Sequence, residues 1–284
     1  MLISAILFLT AETKSPILGP LGRPTQAWLL RQITQKDPAF AKKLHDSQGL
    51  KPYTASTLLD RNGRPISAGQ WLEPGQTYWL RVTSFEGNLS KLLVEKVLPN
   101  LPKRISIYKM NLRIDGYTFD PHEHPWAGRT TYSDIAQDSA YVKSKNSVRL
   151  EYQSPTAFRS SGEDIPLPVP EQVFRSYWQK WNAFAPAPME IQEFWPSFVK
   201  DCIIVSELTS INTLKWQFSE ENKRAYLGFT GTTSFRLLPA RRRKKWVELH
   251  EGATVVMQSL AFFAFYCGTG HHTTIGMGLT RPLR

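Results

Sequence analysis

The sequence predicts an α+β fold of two tandem ferredoxin-like units, each running strand, helix, strand, strand, helix, strand. Three observations lead there. Segments of strand-like and helix-like apolar spacing pass through that cycle twice along 284 residues. The composition, 41% hydrophobic and 12% aromatic, suffices for two cores. A stretch within residues 115–146 carries mixed polar residues and little periodicity, so the units are drawn as 1–120 and 147–284, joined by a connecting region at 121–146. No repeat of sequence links the two halves, and the order of elements alone carries the expectation.

The opening MLISAILFLTAETK lacks a basic leading segment and a small-residue cleavage site, so it reads as a buried first strand over residues 2–10. A helix follows over 24–35, with Trp28, Leu29 and Ile33 at helical spacing. Asp37 before Pro38 is an N-cap followed by proline at the first helical position, and it starts a short second helix through AFAKKLH that ends near Gly49. KPYTASTLL and TYWLRVTSF are the next strands. EGNLSKLLVEKVL sets Leu89, Leu92, Leu93 and Val97 on one helical face, and IYKMNLRI closes the first cycle as an extended run.

The second cycle begins with the strand SVRLEY and the helix EQVFRSYWQKWNAF, which aligns Phe174, Tyr177, Trp178 and Trp181. The proline-rich SGEDIPLPVPE between them is a loop. CIIVSELT through LKWQF, and then AYLGFTGTTSFRLL, supply the middle strands, and VELHEGATVVMQSLAFFAFY the second helix. Its apolar part, VVMQSLAFFAFYC, is too short to span a bilayer, which needs about 20 residues, so no membrane partner is expected. Cys202 and Cys267 sit in apolar surroundings with no C-x-x-C spacing and read as buried reduced thiols, which fits a cytoplasmic protein.

Charge points to the partner. With 35 Lys and Arg against 24 Asp and Glu, the formal net charge is +11, which favours a polyanion such as nucleic acid. The cations also cluster. Eight fall between Lys223 and Lys245, among them Arg241, Arg242, Arg243, Lys244 and Lys245, and five more lie from Lys96 to Ile114, with no acidic residue in either run. Tyr108, Tyr226, Phe229 and Phe235 lie among them, some of them suited to stacking on bases while the cations meet phosphates.

The stretch GTGHHTTIGMG, residues 268–278, follows the last helix. Gly268, Gly270, Gly276 and Gly278 match neither the dinucleotide-binding nor the P-loop spacing, and the loop leaves a helix rather than opening one, so no nucleotide cofactor is expected. What glycines permit there is close approach of a phosphodiester chain to backbone N–H groups. His271 and His272 are adjacent, so on an extended backbone they point to opposite sides and suit RNA contacts better than a metal chelate. The other histidine cluster, DPHEHPWAG, sets His122 and His124 beside Asp120 and Glu123, but lacks the second half of a zinc site and reads as an exposed loop.

This glycine stretch closely resembles the signature loop of the RAMP superfamily, in particular the CRISPR-associated endoribonucleases that cut precursor CRISPR RNA within each repeat. LHDSQGLKPYTASTLL resembles the family's segment bearing its active-site histidine and lysine, and SPTAFR with the following PLPVP and RSYWQKWNAF is similar to the start of the family's second domain. On that resemblance the histidine falls on His45 and the lysine on Lys51. The family's tyrosine in the first helix has no counterpart in WLLRQI, which leaves Arg31 and Tyr53 as accessory candidates. The implied activity needs no metal and no cofactor. An imidazole moves the proton of a ribose 2′-OH or of the departing 5′-oxygen while a lysine stabilises the phosphorane, giving 2′,3′-cyclic phosphate and 5′-hydroxyl ends. The resemblance also implies that CRISPR repeat RNA is the partner and that the crRNA stays bound in an interference complex with other Cas subunits. The alternative is a RAMP-type subunit that binds crRNA without cutting it.

Overall fold

Strand β1 (Leu2–Ala11) places Ile3, Ala5, Leu7 and Leu9 on one face of a sheet, where all four are buried. Chain order then gives β2 (Ser15–Pro16), α1 (Gly22–Lys36), α2 (Pro38–Asp46), β3 (Tyr53–Ala55), β4 (Trp71–Leu72), β5 (Thr77–Ser84), α3 (Gly87–Leu92), β6 (Arg104–Ile107), β7 (Met110–Thr118) and β8 (Gly128–Thr130). The sheet runs β3-β5-β1-β7-β6, with β8 also on β1. Its first four strands are, in sequence-cycle terms, second, third, first and fourth, which is the ferredoxin-like arrangement. Trp28, Leu29 and Ile33 of α1, with Leu89, Leu92, Leu93 and Val97, close one core over that face. The coordinates are a computed structural model and describe every residue except Gln48, Lys109, 143–145, 219–224, Arg243 and Arg284.

The second cycle contains α4 (Tyr132–Tyr141), β9 (Ser147–Thr156), β10 (Phe158–Ser160), β11 (Glu163–Ile165), α5 (Pro170–Phe184), α6 (Trp195–Cys202), β12 (Ile203–Gln217), β13 (Ala225–Leu237), α7 (His250–Cys267) and β14 (Thr280–Leu283). Its sheet, β12-β13-β9-β14, repeats the same strand order. Phe174 of α5 meets Phe235 of β13 edge to face at 5.3 Å between ring centres, and Trp181 of α5 meets Phe263 of α7 at 5.3 Å. Each such pair adds about 0.5–1.5 kcal/mol beyond the apolar area it buries. Both cysteines are buried free thiols. Among the described residues no helix is long and apolar enough to cross a membrane.

Several local expectations change. The single strand expected over IYKMNLRI is a hairpin, β6 and β7, because Tyr108 takes a left-handed φ of 51° and reverses the chain. The strand expected from Lys51 to Leu59 stops at Ala55. There Ser56 Oγ accepts from Arg81 N–H at 2.8 Å, and pairing resumes only at Leu59 with Trp79. The helix after Glu86 changes register late, widening into a π-type turn at Leu93–Val97 and then tightening into a 3₁₀ turn at Leu98–Asn100, where Pro99 has no N–H to continue it. The segment 121–146 contains β8 and α4, the latter started by a capping box in which Thr131 and Asp134 each accept the other's backbone N–H. Part of the proline-rich loop is the small hairpin of β10 and β11.

Packing divides the chain into two compact units, neither of them continuous in sequence. One is Met1–Arg129 with Trp216–Tyr226 and His272–Gly276, and the other is Thr130–Lys215, Leu227–His271 and Met277–Arg284.

Candidate functional site

In the first unit, Asp37 starts α2 as its sequence suggests, its Oδ1 accepting from Phe40 N–H at 2.9 Å with Pro38 in the first turn. Ala41 and Leu44 are buried, which fixes the helix, and His45 stands exposed in the last turn. The chain then doubles back. Lys51 Nζ donates to the carbonyl oxygens of Leu44 at 2.8 Å, His45 at 3.2 Å and Ser47 at 2.6 Å, and reaches Ser47 Oγ at 3.1 Å. The ammonium thus satisfies carbonyls that the helix end leaves open, at the negative end of its dipole. His45 and Lys51 are brought to one helix end. Of the accessory candidates, Arg31 is exposed on α1, whereas Tyr53 is a core residue on β3 at 2% exposure. Its hydroxyl accepts from Gln26 Nε2 at 3.0 Å, and burial pushes the phenol above its ordinary pKa.

The glycine stretch is not an extended strand. Gly268 follows α7 at φ 63° and ψ 173°, a region open essentially to glycine, and Gly270 has φ 74°. A Cβ on Gly270 would stand 2.1 Å from Ala157 O. Most of the stem's polar backbone is used inside the fold. Thr269 N–H donates to Gly278 O at 2.9 Å, Gly270 N–H to Ser176 Oγ at 3.1 Å, His271 N–H to Ala157 O at 3.1 Å, and Gly278 N–H to Pro155 O at 3.0 Å. On the carbonyl side, the buried Lys180 Nζ donates to Cys267 O at 3.1 Å, Gly268 O at 3.0 Å and Gly270 O at 3.2 Å. Burial pushes this lysine's pKa down. Residues 268–271 are therefore a locked stem, and an approaching phosphate finds fewer backbone donors than eleven residues suggest.

The two histidines diverge, though not by strand alternation. His271 lies in the second unit, half-buried, with Nε2 3.5 Å from Asp164 Oδ1, and burial lowers its pKa despite that carboxylate. His272, in the left-handed region at φ 57°, packs in the first unit between Phe218 and Tyr226, with ring centres at 4.9 and 4.8 Å. A 3₁₀ turn, Thr273–Ile275, follows. Here Gly22 at the start of α1 abuts Ile275, where a Cβ would fall 2.0 Å from the carbonyl oxygen. Gly276, at φ 100°, lies beside Thr57.

The basic runs look different in space. Arg241, Lys244 and Lys245 are exposed on two short 3₁₀ turns, Ala240–Arg242 and Lys244–Trp246, while Arg243 lies outside the described residues. Trp246 anchors them, buried and donating Nε1–H to Asp201 Oδ2 at 2.8 Å, and Lys245 Nζ lies 4.4 Å over its ring. In the 96–114 run, Arg104 makes a two-pronged pair with Glu12 at 2.6 and 2.9 Å, and Arg113 pairs with Asp115 at 2.6 Å. Acids outside the run thus neutralise two of its cations. His124 is occupied as well, packed edge-on against Trp79 at 4.6 Å with Nδ1 accepting from Trp126 N–H at 3.2 Å, while His122 is exposed. Among the described residues no group of three or more His, Cys, Asp or Glu is placed to hold a metal.

Sequence reasoning missed Lys180, Ser176 and Trp246. Lys180 was open to discovery: it follows Tyr177 by three and Val173 by seven, so it is a cation within the apolar stripe of its helix.

The loop that Lys180 locks lies inside the segment that family comparison matches. Residues 150–280 match the family of the CRISPR-associated endoribonuclease Cas6. The match takes in the whole glycine stretch and leaves His45 and Lys51 outside it. No curated protein matches the chain. Among solved structures, a Cas6 product complex is 22% identical over 100% of both chains, with a TM-score of 0.79. Thermus thermophilus Cas6 is 23% identical, covering 100% of this chain and 98% of its own, with a TM-score of 0.68. A RAMP protein described as binding different RNA substrates is 12% identical over 99% and 100%, with a TM-score of 0.60. At these identities the structures establish the fold. The resemblance to CRISPR-associated RAMP endoribonucleases is borne out by the Cas6 match, and the two ferredoxin-like units by the shared fold.

Proposed function

We propose that the chain is an endoribonuclease that cuts precursor CRISPR RNA within its repeats, without metal, by attack of the ribose 2′-OH on the adjacent phosphate. The observation that carries the reading is the match of residues 150–280 to the Cas6 family, on a chain that shares its whole fold with Cas6 structures. The pairing of His45 and Lys51 at one end of α2 supports the chemistry. The exposed imidazole of His45 takes or returns the proton, and the Lys51 ammonium, on giving up one carbonyl, stabilises the phosphorane. Bond making at phosphorus expels the 5′-oxygen, so the ends are a 2′,3′-cyclic phosphate and a 5′-hydroxyl. The loop tip and the exposed cations Arg241, Lys244 and Lys245 hold the RNA backbone. CRISPR repeat RNA is the substrate, and the crRNA stays bound for an interference complex with other Cas subunits.

The test is cleavage of a panel of repeat RNAs in EDTA, with analysis of product ends. His45→Ala is expected to slow cleavage by roughly 10² or more with little change in affinity. A single 2′-deoxy nucleotide before the scissile phosphate is expected to abolish it. Cutting of that substrate, or a strict need for divalent metal, overturns the mechanism. One observation favours a second reading, a RAMP-type subunit that binds crRNA without cutting: Lys51 spends its donors on carbonyls at the C-terminal end of α2 and its cap. Binding of repeat RNA with no cleavage of any panel member would establish that reading.

A further inference from the structure

Lys180 carries a cation into the interior of the second unit, at 4% exposure, and its three partners are carbonyl oxygens. A buried ammonium costs far more to desolvate than a methionine filling the same space, so packing alone gives no reason for it. Its neighbours on α5 act on the same segment. Ser176 Oγ accepts from Gly270 N–H at 3.1 Å. Tyr177 hydroxyl meets Thr269 Oγ1 at 2.6 Å, and Thr269 Oγ1 meets Thr280 Oγ1 at 2.7 Å. One face of α5 thus grips residues 267–270 by three carbonyls, one amide and one hydroxyl.

A polyanion is repelled by carbonyl oxygens and attracted by N–H groups. A loop that meets RNA must therefore turn its carbonyls away, and glycines, free to rotate either way, do not do this by themselves. We propose that Lys180, supported by Ser176 and Tyr177, is a positioning residue for RNA binding: it draws the carbonyls of Cys267, Gly268 and Gly270 inward, so that the stem of the loop does not turn those three carbonyls toward phosphate. This rests on the reading of the chain as an RNA-cutting enzyme and adds the device that makes its glycine loop compatible with RNA. The three partners of Lys180 are backbone carbonyls of the glycine stretch and of Cys267 before it, so in this proposal it acts on affinity and not on the chemical step.

The experiment measures three quantities on the full chain and on Lys180→Met: amide exchange over residues 268–278 without RNA, the Kd for a repeat RNA blocked by a 2′-deoxy nucleotide, and the single-turnover rate at saturating RNA. Lys180→Met is expected to speed exchange in that loop, to raise Kd tenfold or more, and to leave the saturated rate within threefold. Unchanged exchange and Kd overturn the proposal, as does a lost rate at unchanged Kd. Tyr177→Phe, which removes the hydroxyl that meets Thr269 Oγ1 and the buried Tyr152 hydroxyl, gives the same pattern in weaker form, and it decides the matter should Lys180→Met fail to fold. The exchange measurement involves no RNA. A parent protein that neither binds nor cuts repeat RNA defeats the functional reading, while the exchange result still reports on the grip of Lys180.

Discussion

Gly270 shows how one residue holds a loop. Its φ of 74° disfavours any side chain, and a Cβ would sit 2.1 Å from Ala157 O, in the backbone contact that receives His271 N–H. Gly270→Ala must therefore move backbone, and a destabilisation of about 1–3 kcal/mol is expected by urea unfolding. Gly276→Ala meets Thr57 N at 3.2 Å and is expected to cost less. His271 supplies a pH dependence. Burial holds its pKa below the ordinary 6.5, outweighing Asp164, with Arg159 and Lys180 pushing the same way. The unfolded chain then binds more protons than the folded one below pH ~6.5, so this stability is present above that value and is lost as pH falls toward the folded pKa. His271→Asn is expected to flatten the fall in Tm between pH 7 and 5. An undiminished fall would place the titrating group elsewhere.

At the scale of elements, α2 carries the proposed chemistry and depends on its caps. Asp37→Ala removes the acceptor for Phe40 N–H, and a loss of about 0.5–2 kcal/mol is expected, with slower cleavage as the short helix that holds His45 loosens from its first turn. Unfolding curves and a single-turnover rate check both parts. The 3₁₀ turns at 240–246 carry the second element-scale prediction. Arg241 and Lys244 are exposed, and replacing both by Ala is expected to weaken RNA binding and to lower the salt slope by about 0.7 for each lost phosphate contact. An unaltered slope would remove these turns from the RNA path. The start of α2 was legible in the sequence because a cap is a local matter of Asp, Pro and the residues that follow. The hairpin of β6 and β7 was not, since a left-handed Tyr108 is an uncommon state that no glycine or asparagine announces.

For the whole molecule, the contact-defined units are interrupted in sequence. The first takes in 216–226 and His272–Gly276 from the second half, so a fragment of residues 1–129 lacks the segment that abuts Gly22 and Thr57. Faster amide exchange in the first turn of α1 and near Thr57 is expected in that fragment than in the full chain. Equal exchange would make the inserted segments dispensable. The net charge of +11 acts at this scale too, adding weak, salt-sensitive attraction for any RNA. Repeat preference must therefore be measured at moderate salt.

By itself the sequence determined what short-range chemistry decides: the order of strands and helices twice over, the core stripes of α1 and α5, the capping of α2, and a glycine stretch specific enough to resemble one superfamily. Periodicity and caps act over a few residues, so they survive without knowledge of the fold. Only the tertiary structure decided what those residues meet. It neutralised Arg104 with Glu12 across 92 positions, enclosed His272 between Phe218 and Tyr226, and set Lys180 under carbonyls 87 to 90 residues away. Such contacts depend on which faces the sheets bring together, and one chain's sequence holds no local signal for a partner so distant.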